Sequence, residues 1–324
     1  MSITVQKGGM LTTVQDLGRT GYQKYGVIVS GVMDAFSAKM ANLLLGNKEN
    51  EAVLEMTVLG PHLKFNSSAI ICVTGGDLHP MLDGKSMGMW KPVQVSKGAE
   101  LTFKGLRKGC RSYLAVKGGL ALEEKMNSKS TYLRAGFGGY KGKKLDSGDV
   151  LELLESKLPC SIGEKLNWGL MPLANERPAK HAEVRFIKGP QYSWFIEESQ
   201  KMFEQGVYTV LPNSDRMGYR LHGEKIEKVE PRELVTEAAS FGTIQIPPDG
   251  QPIILMADRQ TTGGYPKIGQ VISVDLPIVA QMSPHSSITF KEVPLKEAQT
   301  LLLQENKLFE QIKTAAKLKW RDWS

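Results

Sequence analysis

The sequence predicts a mainly β protein with a few helices, divided into two domains. Three observations carry this reading. At 324 residues the chain exceeds what one hydrophobic core usually organises. Its apolar residues fall in short β-branched runs rather than in long helical stripes. Its 33 glycines and 16 prolines, with Asn and Asp, bound most of those runs as turns do.

The runs that read as strands are residues 52–58, 69–74, 111–116, 149–154, 183–187, 242–246, 252–256, 270–274 and 287–290. Pro247-Pro248-Asp249-Gly250 separates two of them as a turn. Three helices are expected among the strands. Asp34 is placed to cap one that buries Phe36, Met40, Leu43 and Leu44 and stops at Gly46. Pro190 opens a second, with Tyr192, Phe195, Ser199, Met202 and Phe203 near helical spacing. The third follows Pro294 and carries Ala298, Leu301, Leu302, Phe309 and Ile312.

The domains are expected at residues 1–160, a β domain with a helical segment, and 181–324, a second β domain ending in a helix. The segment 158–180, with three prolines and little strand pattern, separates them. Gly60-Pro61 and the cluster ending Gly138-Gly139-Tyr140 are echoed by Gly189-Pro190 and Gly263-Gly264-Tyr265. The echoes are offset by 129 and 125 residues, which points to an internal duplication.

Composition narrows the function. Three separated cysteines, Cys72, Cys110 and Cys160, form no CxxC pair and read as reduced, small buried residues of a cytoplasmic protein. Met1–Val5 leads straight into strand-like sequence without a signal-peptide pattern, and no apolar run approaches a membrane span. A net charge of +7 raises nucleic acid as a partner, but the basic residues are scattered and not interleaved with aromatics. Gly84-Lys85-Ser86 ends like a phosphate-binding loop, yet His79 stands where that loop needs glycine, so the stretch reads as a hairpin turn. Gly136-Phe137-Gly138-Gly139 has Lys141 in place of the third glycine of a dinucleotide fingerprint. The five histidines lack metal-ligand spacing, and no GxSxG elbow or methionine-flanked biotinyl lysine is present. The pattern is that of a binding module, or of one component of a complex whose active site another chain completes.

Two stretches are rich in polar and glycine residues that a core would not select. One is Ser214-Asp215-Arg216-Met217-Gly218-Tyr219-Arg220; the other runs Asp258-Arg259-Gln260-Thr261-Thr262-Gly263-Gly264-Tyr265-Pro266-Lys267. Each sets Asp-Arg beside a strand end and follows it with glycine. Glycines let backbone N–H groups approach a ligand, and arginine offers a planar fork to carboxylate or phosphate. Asp215, Arg216, Asp258 and Arg259 are therefore the candidate catalytic residues, expected to converge on one cleft.

A third stretch, Thr12-Thr13-Val14-Gln15-Asp16-Leu17-Gly18-Arg19-Thr20-Gly21-Tyr22, completes a familiar set. Together with SGVMDAFSAKMANLLLGN, LEMTVLGP, GFGG, SDRMGYRL and IPPDGQPIILMADRQTTGGYPKIGQVISVDLP, it resembles the allophanate hydrolase subunit 2 family of carboxyltransferase-like proteins. Thr20 and Val32 depart from the residues frequent at those positions, without removing a reacting group. The resemblance implies two cyclophilin-like β-barrel domains. It also implies membership of a 5-oxoprolinase complex, with an A subunit and a kinase-inhibitor-like B subunit, that opens 5-oxo-L-proline to L-glutamate using ATP. Alternatives carried by the same family are a regulator that antagonises a histidine kinase inhibitor, and the carboxyltransferase half of a biotin-dependent urea carboxylase. Mapped onto this chain, Gln260, Thr261, Gly263 and Gly264 are the expected substrate-binding positions. Asp16 and Arg19 face substrate as well, or lock the N-terminal segment to the barrels.

Overall fold

The computed structural model describes residues 1–155, 166, 168–170, 180–231 and 233–321. They gather into two units. The first takes Met1–Gly18, Asp34–Glu176 and Lys307–Ser324; the second takes Arg19–Met33 and Arg177–Asn306. Neither the assignment of 19–33 to the second unit nor that of 307–324 to the first follows from the boundaries 1–160 and 181–324. Most of the segment expected to separate the domains, and Cys160 within it, lies outside the described residues.

The first unit runs β1 (Ser2–Lys7), β2 (Leu11–Gln15), α1 (Ala35–Leu44), β3 (Val53–Thr57), β4 (His62–Phe65), β5 (Ala69–Asp77), β6 (Pro80–Leu82), β7 (Lys85–Ser86), β8 (Val93–Val95), β9 (Glu100–Phe103), β10 (Lys108–Val116) and β11 (Val150–Glu152). These strands form a six-stranded sheet, β11-β1-β4-β9-β6-β7, and a five-stranded one, β2-β3-β10-β5-β8. The chain passes repeatedly from one sheet to the other through sharp corners, at Val58 (φ 60°), His79 (φ 55°) and Gly105 (φ 136°). Ile3, Leu63, Phe65 and Leu101 of one sheet share an apolar cluster with Val14, Leu54, Val73 and Leu114 of the other. The Gly84-Lys85-Ser86 stretch is a hairpin, with Leu82 opposite Lys85 across Asp83-Gly84.

Helix α1 starts where expected. The Asp34 carboxylate accepts the Ser37 N–H at 2.8 Å, a side-chain cap on an otherwise orphaned donor. Met40 and Leu43 pack with Trp90 and with Phe309 of the last helix of the chain, Leu295–Arg321. Trp320 donates its indole N–H to the Leu44 carbonyl at 3.0 Å, and Lys313 reaches Glu49 at 3.1 Å. These contacts are why the chain from Lys307 onward groups with the first unit.

The second unit runs β12 (His181–Lys188), α2 (Glu197–Gln205), β13 (Val207–Val210), β14 (Gly218–His222), β15 (Glu237–Ala238), β16 (Thr243–Gln245), β17 (Ile253–Leu255), β18 (Thr262–Gly263), β19 (Lys267–Val271), α3 (Leu276–Ala280) and β20 (Ser287–Glu292). Seven strands close a barrel in the order β12-β19-β16-β17-β14-β13-β20. The closing pair, β12 with β20, is parallel. Phe186, Phe203, Tyr208 and Phe290 interlock in the core, with Phe203 stacked on Phe290 at 4.4 Å. Met33 belongs to the same cluster, which groups 19–33 with this unit.

The mainly β class with a few helices is what the structure has, and the second unit closes a barrel. In the first unit the strands lie in two sheets, and the corners at Val58, His79 and Gly105 turn the chain out of one sheet and into the other. The strand orders of the two units differ, and in the barrel only the closing pair, β12 with β20, is parallel. The helix expected from Pro190 also begins later. Tyr192–Trp194 forms a single 3-10 turn, Phe195 turns extended (φ −96°, ψ 144°), and α2 starts only at Glu197. Among the described residues no helix is long and apolar enough to cross a membrane.

Candidate functional site

The two Asp-Arg segments do converge, but on each other. β14 and β17 pair antiparallel, with Gly218 opposite Leu255, so Arg216 and Asp258 leave neighbouring strand ends. The Arg216 Nε–H and Nη2–H groups donate to the two Asp258 carboxylate oxygens, each at 2.9 Å. Both side chains are buried. The Ser30 hydroxyl donates to the same carboxylate at 2.7 Å, and Arg216 Nη2 donates to the Gly31 carbonyl at 2.5 Å. The fork expected to face a ligand carboxylate thus faces Asp258, and the pair fastens the Ser30-Gly31 segment to the barrel.

Asp215 and Arg259 do other work. The Asp215 carboxylate accepts the Met217 and Gly218 N–H groups at 2.8 and 3.3 Å, which shapes the turn into β14. Arg259 donates from Nε to the Ala239 carbonyl at 3.2 Å and lies 5.5 Å from the centre of the Phe241 ring. Burial lowers its guanidinium to about 10, against the opposing pull of Asp258. Among the described residues no carboxylate lies within ion-pairing distance of Arg259, so this cation has capacity for an anion.

The TTGGYPK loop, in contrast, is held in a cluster of polar side chains. Thr262–Gly263 pairs with Glu237–Ala238 as a two-stranded flap, and the Ala239 N–H donates to the Thr261 carbonyl at 3.0 Å. Beneath the flap, Gln245 of β16 stands opposite Lys267 of β19. Ile244 and Ile246 belong to the barrel core, so strand alternation turns Gln245 outward toward the flap. Lys267 donates to the Glu237 carboxylate at 3.0 Å and to the Ala238 carbonyl at 2.7 Å, latching the flap while one of its three N–H donors remains. The backbone N–H of Lys267 donates to Gln191 Oε1 at 3.2 Å, and Gln191 Nε2 approaches Glu237 at 3.4 Å.

Of the expected binding positions, Thr261 and Gly263 are part of this flap, Gly264 passes close to the Leu234 carbonyl, and Gln260 is exposed beside it. Asp16 is elsewhere. Its carboxylate accepts the Lys129 N–H at 2.6 Å and the hydroxyls of Ser128 and Ser130 at 2.8 and 2.5 Å, and is enclosed in the first unit. Arg19 is buried in the second unit, its N–H donating to the Val29 carbonyl at 2.8 Å. For Asp16 the locking role fits these contacts. Gln191, Glu237, Gln245 and Lys267 are additions to the expected site residues. Lys267 stands inside the glycine loop; Gln245 shows in the sequence only as a polar residue alternating with isoleucines, and nothing local marks Gln191 or Glu237.

The hydrogen bond from Lys267 holds the Glu237 carboxyl below the usual carboxylate range. For a depressed carboxylate, the latch contributes fully above the ordinary glutamate value of about 4.3 and is lost as the pH falls through the lower folded value. Hydrogen exchange at the Ala239 and Gly263 amides, corrected for its intrinsic pH dependence, should therefore accelerate below about pH 4. Glu237→Gln should abolish that acceleration; persistence in the variant would locate the acid-sensitive group elsewhere.

The second unit is thus a closed seven-stranded β-barrel that carries a two-stranded flap, Glu237–Ala238 with Thr262–Gly263. The family described as carboxyltransferase domain, subdomain A and B, matches residues 25–292, and the chain belongs to it. It is similar to the C subunit of 5-oxoprolinase from Haemophilus influenzae, 39% identical over 301 residues that cover 93% of this chain and 94% of that protein. It is similar also to the C subunit of 5-oxoprolinase from Escherichia coli, 34% identical over 313 residues, 96% of this chain and 97% of that one. Among solved structures it resembles the urea carboxylase of Kluyveromyces lactis, with a TM-score of 0.87 and 30% identity over 96% of this chain, but only 29% of that far longer protein.

Proposed function

We propose that this chain is the C subunit of an ATP-dependent 5-oxoprolinase, acting with the A and B subunits to open 5-oxo-L-proline to L-glutamate. The observation that carries the reading is the near end-to-end match to two proteins named as C subunits of 5-oxoprolinase. In the reaction, the lactam oxygen takes the γ-phosphoryl group of ATP and becomes part of an imidate, leaving ADP. Water adds to the imidate carbon, the ring C–N bond breaks with the nitrogen taking a proton, and hydrolysis of the acyl phosphate releases phosphate and glutamate. Negative charge gathers on the phosphoryl oxygens and, as water adds, on the ring nitrogen. Lys267, oriented by Glu237, and Arg259, backed by Phe241, are cations placed to meet it. The low dielectric under a closed flap strengthens both contacts.

The test is reconstitution. The chain alone should hydrolyse neither ATP nor 5-oxoproline, and 5-oxoproline-dependent ATP hydrolysis should appear on adding the A and B subunits. Turnover by the lone chain, or none with all three, overturns the reading. A second reading, the carboxyltransferase half of a urea carboxylase, draws on the likeness to the Kluyveromyces lactis enzyme. Carboxyl transfer from carboxybiotin to urea in place of the 5-oxoproline reaction would favour it.

A further inference from the structure

Gln245 is 5% exposed, yet its amide is barely used. Nε2 makes a single long hydrogen bond, 3.5 Å to the Tyr265 carbonyl, and among the described residues Oε1 has no partner. Buried side-chain amides are ordinarily paired, and the unpartnered Oε1 here is not sealed from solvent, so it is open to a small partner. The surroundings keep this amide accessible to a small ligand rather than filled by protein. A side chain at position 263 would come within 2.9 Å of Nε2, so glycine there leaves the amide edge uncovered. Lys267 stands opposite Gln245 in the register of β16 with β19.

A primary carboxamide offers one donor and one acceptor side by side. Its complement is an N–H and a C=O on the same side of a C–N bond: a cis amide. Lactams and ureas have this edge because the ring, or the second nitrogen, holds it open; ordinary trans peptides do not. We infer that Gln245 is the specificity residue of the flap site, pairing by two antiparallel hydrogen bonds with the cis-amide edge of a lactam or urea. The inference rests on reading the flap cluster as the substrate site. It gives one chemical reason why relatives named for 5-oxoproline and for urea share a fold: both molecules present the same edge.

The experiment is a binding titration followed by NMR, on the chain alone and on the chain assembled with its partner subunits. The probes are 5-oxoproline, urea, 2-pyrrolidone and N-methyl-2-pyrrolidone. At least one of the first three should bind, and N-methylation, which removes the donor while keeping the ring, should weaken 2-pyrrolidone binding at least tenfold. In Gln245→Leu that discrimination should collapse to near unity, an effect that a merely structural side chain would not produce. Gln245→Glu, which keeps the acceptors and loses the amide donor, is the second variant should leucine disturb the strand. Binding of urea but not 5-oxoproline would end the oxoprolinase reading and leave this one standing. Absence of binding by every cis amide in both forms, or equal discrimination in wild type and variants, overturns the role of Gln245.

Discussion

Asp258→Ala is expected to destabilise the second unit by about 3–5 kcal/mol, the usual result of removing one partner from a buried ion pair. The Asp258 carboxylate takes two N–H groups of Arg216 at 2.9 Å and the Ser30 hydroxyl at 2.7 Å. Without it the buried guanidinium loses two charge-assisted hydrogen bonds to a carboxylate. At roughly 2–4 °C per kcal/mol, the melting midpoint should fall by about 6–20 °C. Urea or thermal unfolding measures this directly. The double variant Asp258→Ala/Arg216→Met should recover part of the loss, because it removes the uncompensated charge as well as the bond. Wild-type stability in Asp258→Ala would mean that the pair contributes nothing to holding residues 19–33.

This pair marks where the sequence is legible and where it is not. Asp34 can be read as a helix cap because capping is local: donor and acceptor lie three residues apart. The hairpin at Asp83-Gly84 and the helix after Pro294 are local in the same sense. The roles of Arg216 and Asp258 are not local. Each reads from the sequence as more than surface charge, but an arginine fork accepts a ligand carboxylate and a protein carboxylate equally well. Only the antiparallel pairing of β14 with β17 decides for Asp258. The flap shows the same limit. Its glycine loop is conspicuous, while Glu237, its partner strand and its latch, is separated from Lys267 by thirty positions and three strands. The two-sheet form of the first unit is hidden for a related reason: Val58 turns a corner at positive φ, a conformation that a β-branched residue does not advertise.

Lys267→Met carries the largest expected effect on turnover. On the oxoprolinase reading, the ammonium supplies a charge-assisted hydrogen bond that strengthens as negative charge develops on the phosphoryl oxygens and the ring nitrogen. Losing about 1.5–3 kcal/mol of such stabilisation slows turnover by roughly 10- to 150-fold. The loss should fall on kcat more than on KM, since a contact made chiefly in the transition state contributes little to ground-state binding. Lys267 also latches the flap through Glu237 and the Ala238 carbonyl, and a loosened flap would slow the reaction by admitting water. Glu237→Gln separates the two. It weakens the latch but leaves the ammonium in place, so it should cost no more than a few-fold in kcat if Lys267 acts on the reacting group. Steady-state kinetics of the assembled complex, with circular dichroism to establish that each variant is folded, decide the matter. Equal losses in Lys267→Met and Glu237→Gln would make Lys267 a positioning residue of the flap, and a wild-type kcat in Lys267→Met would remove it from the site.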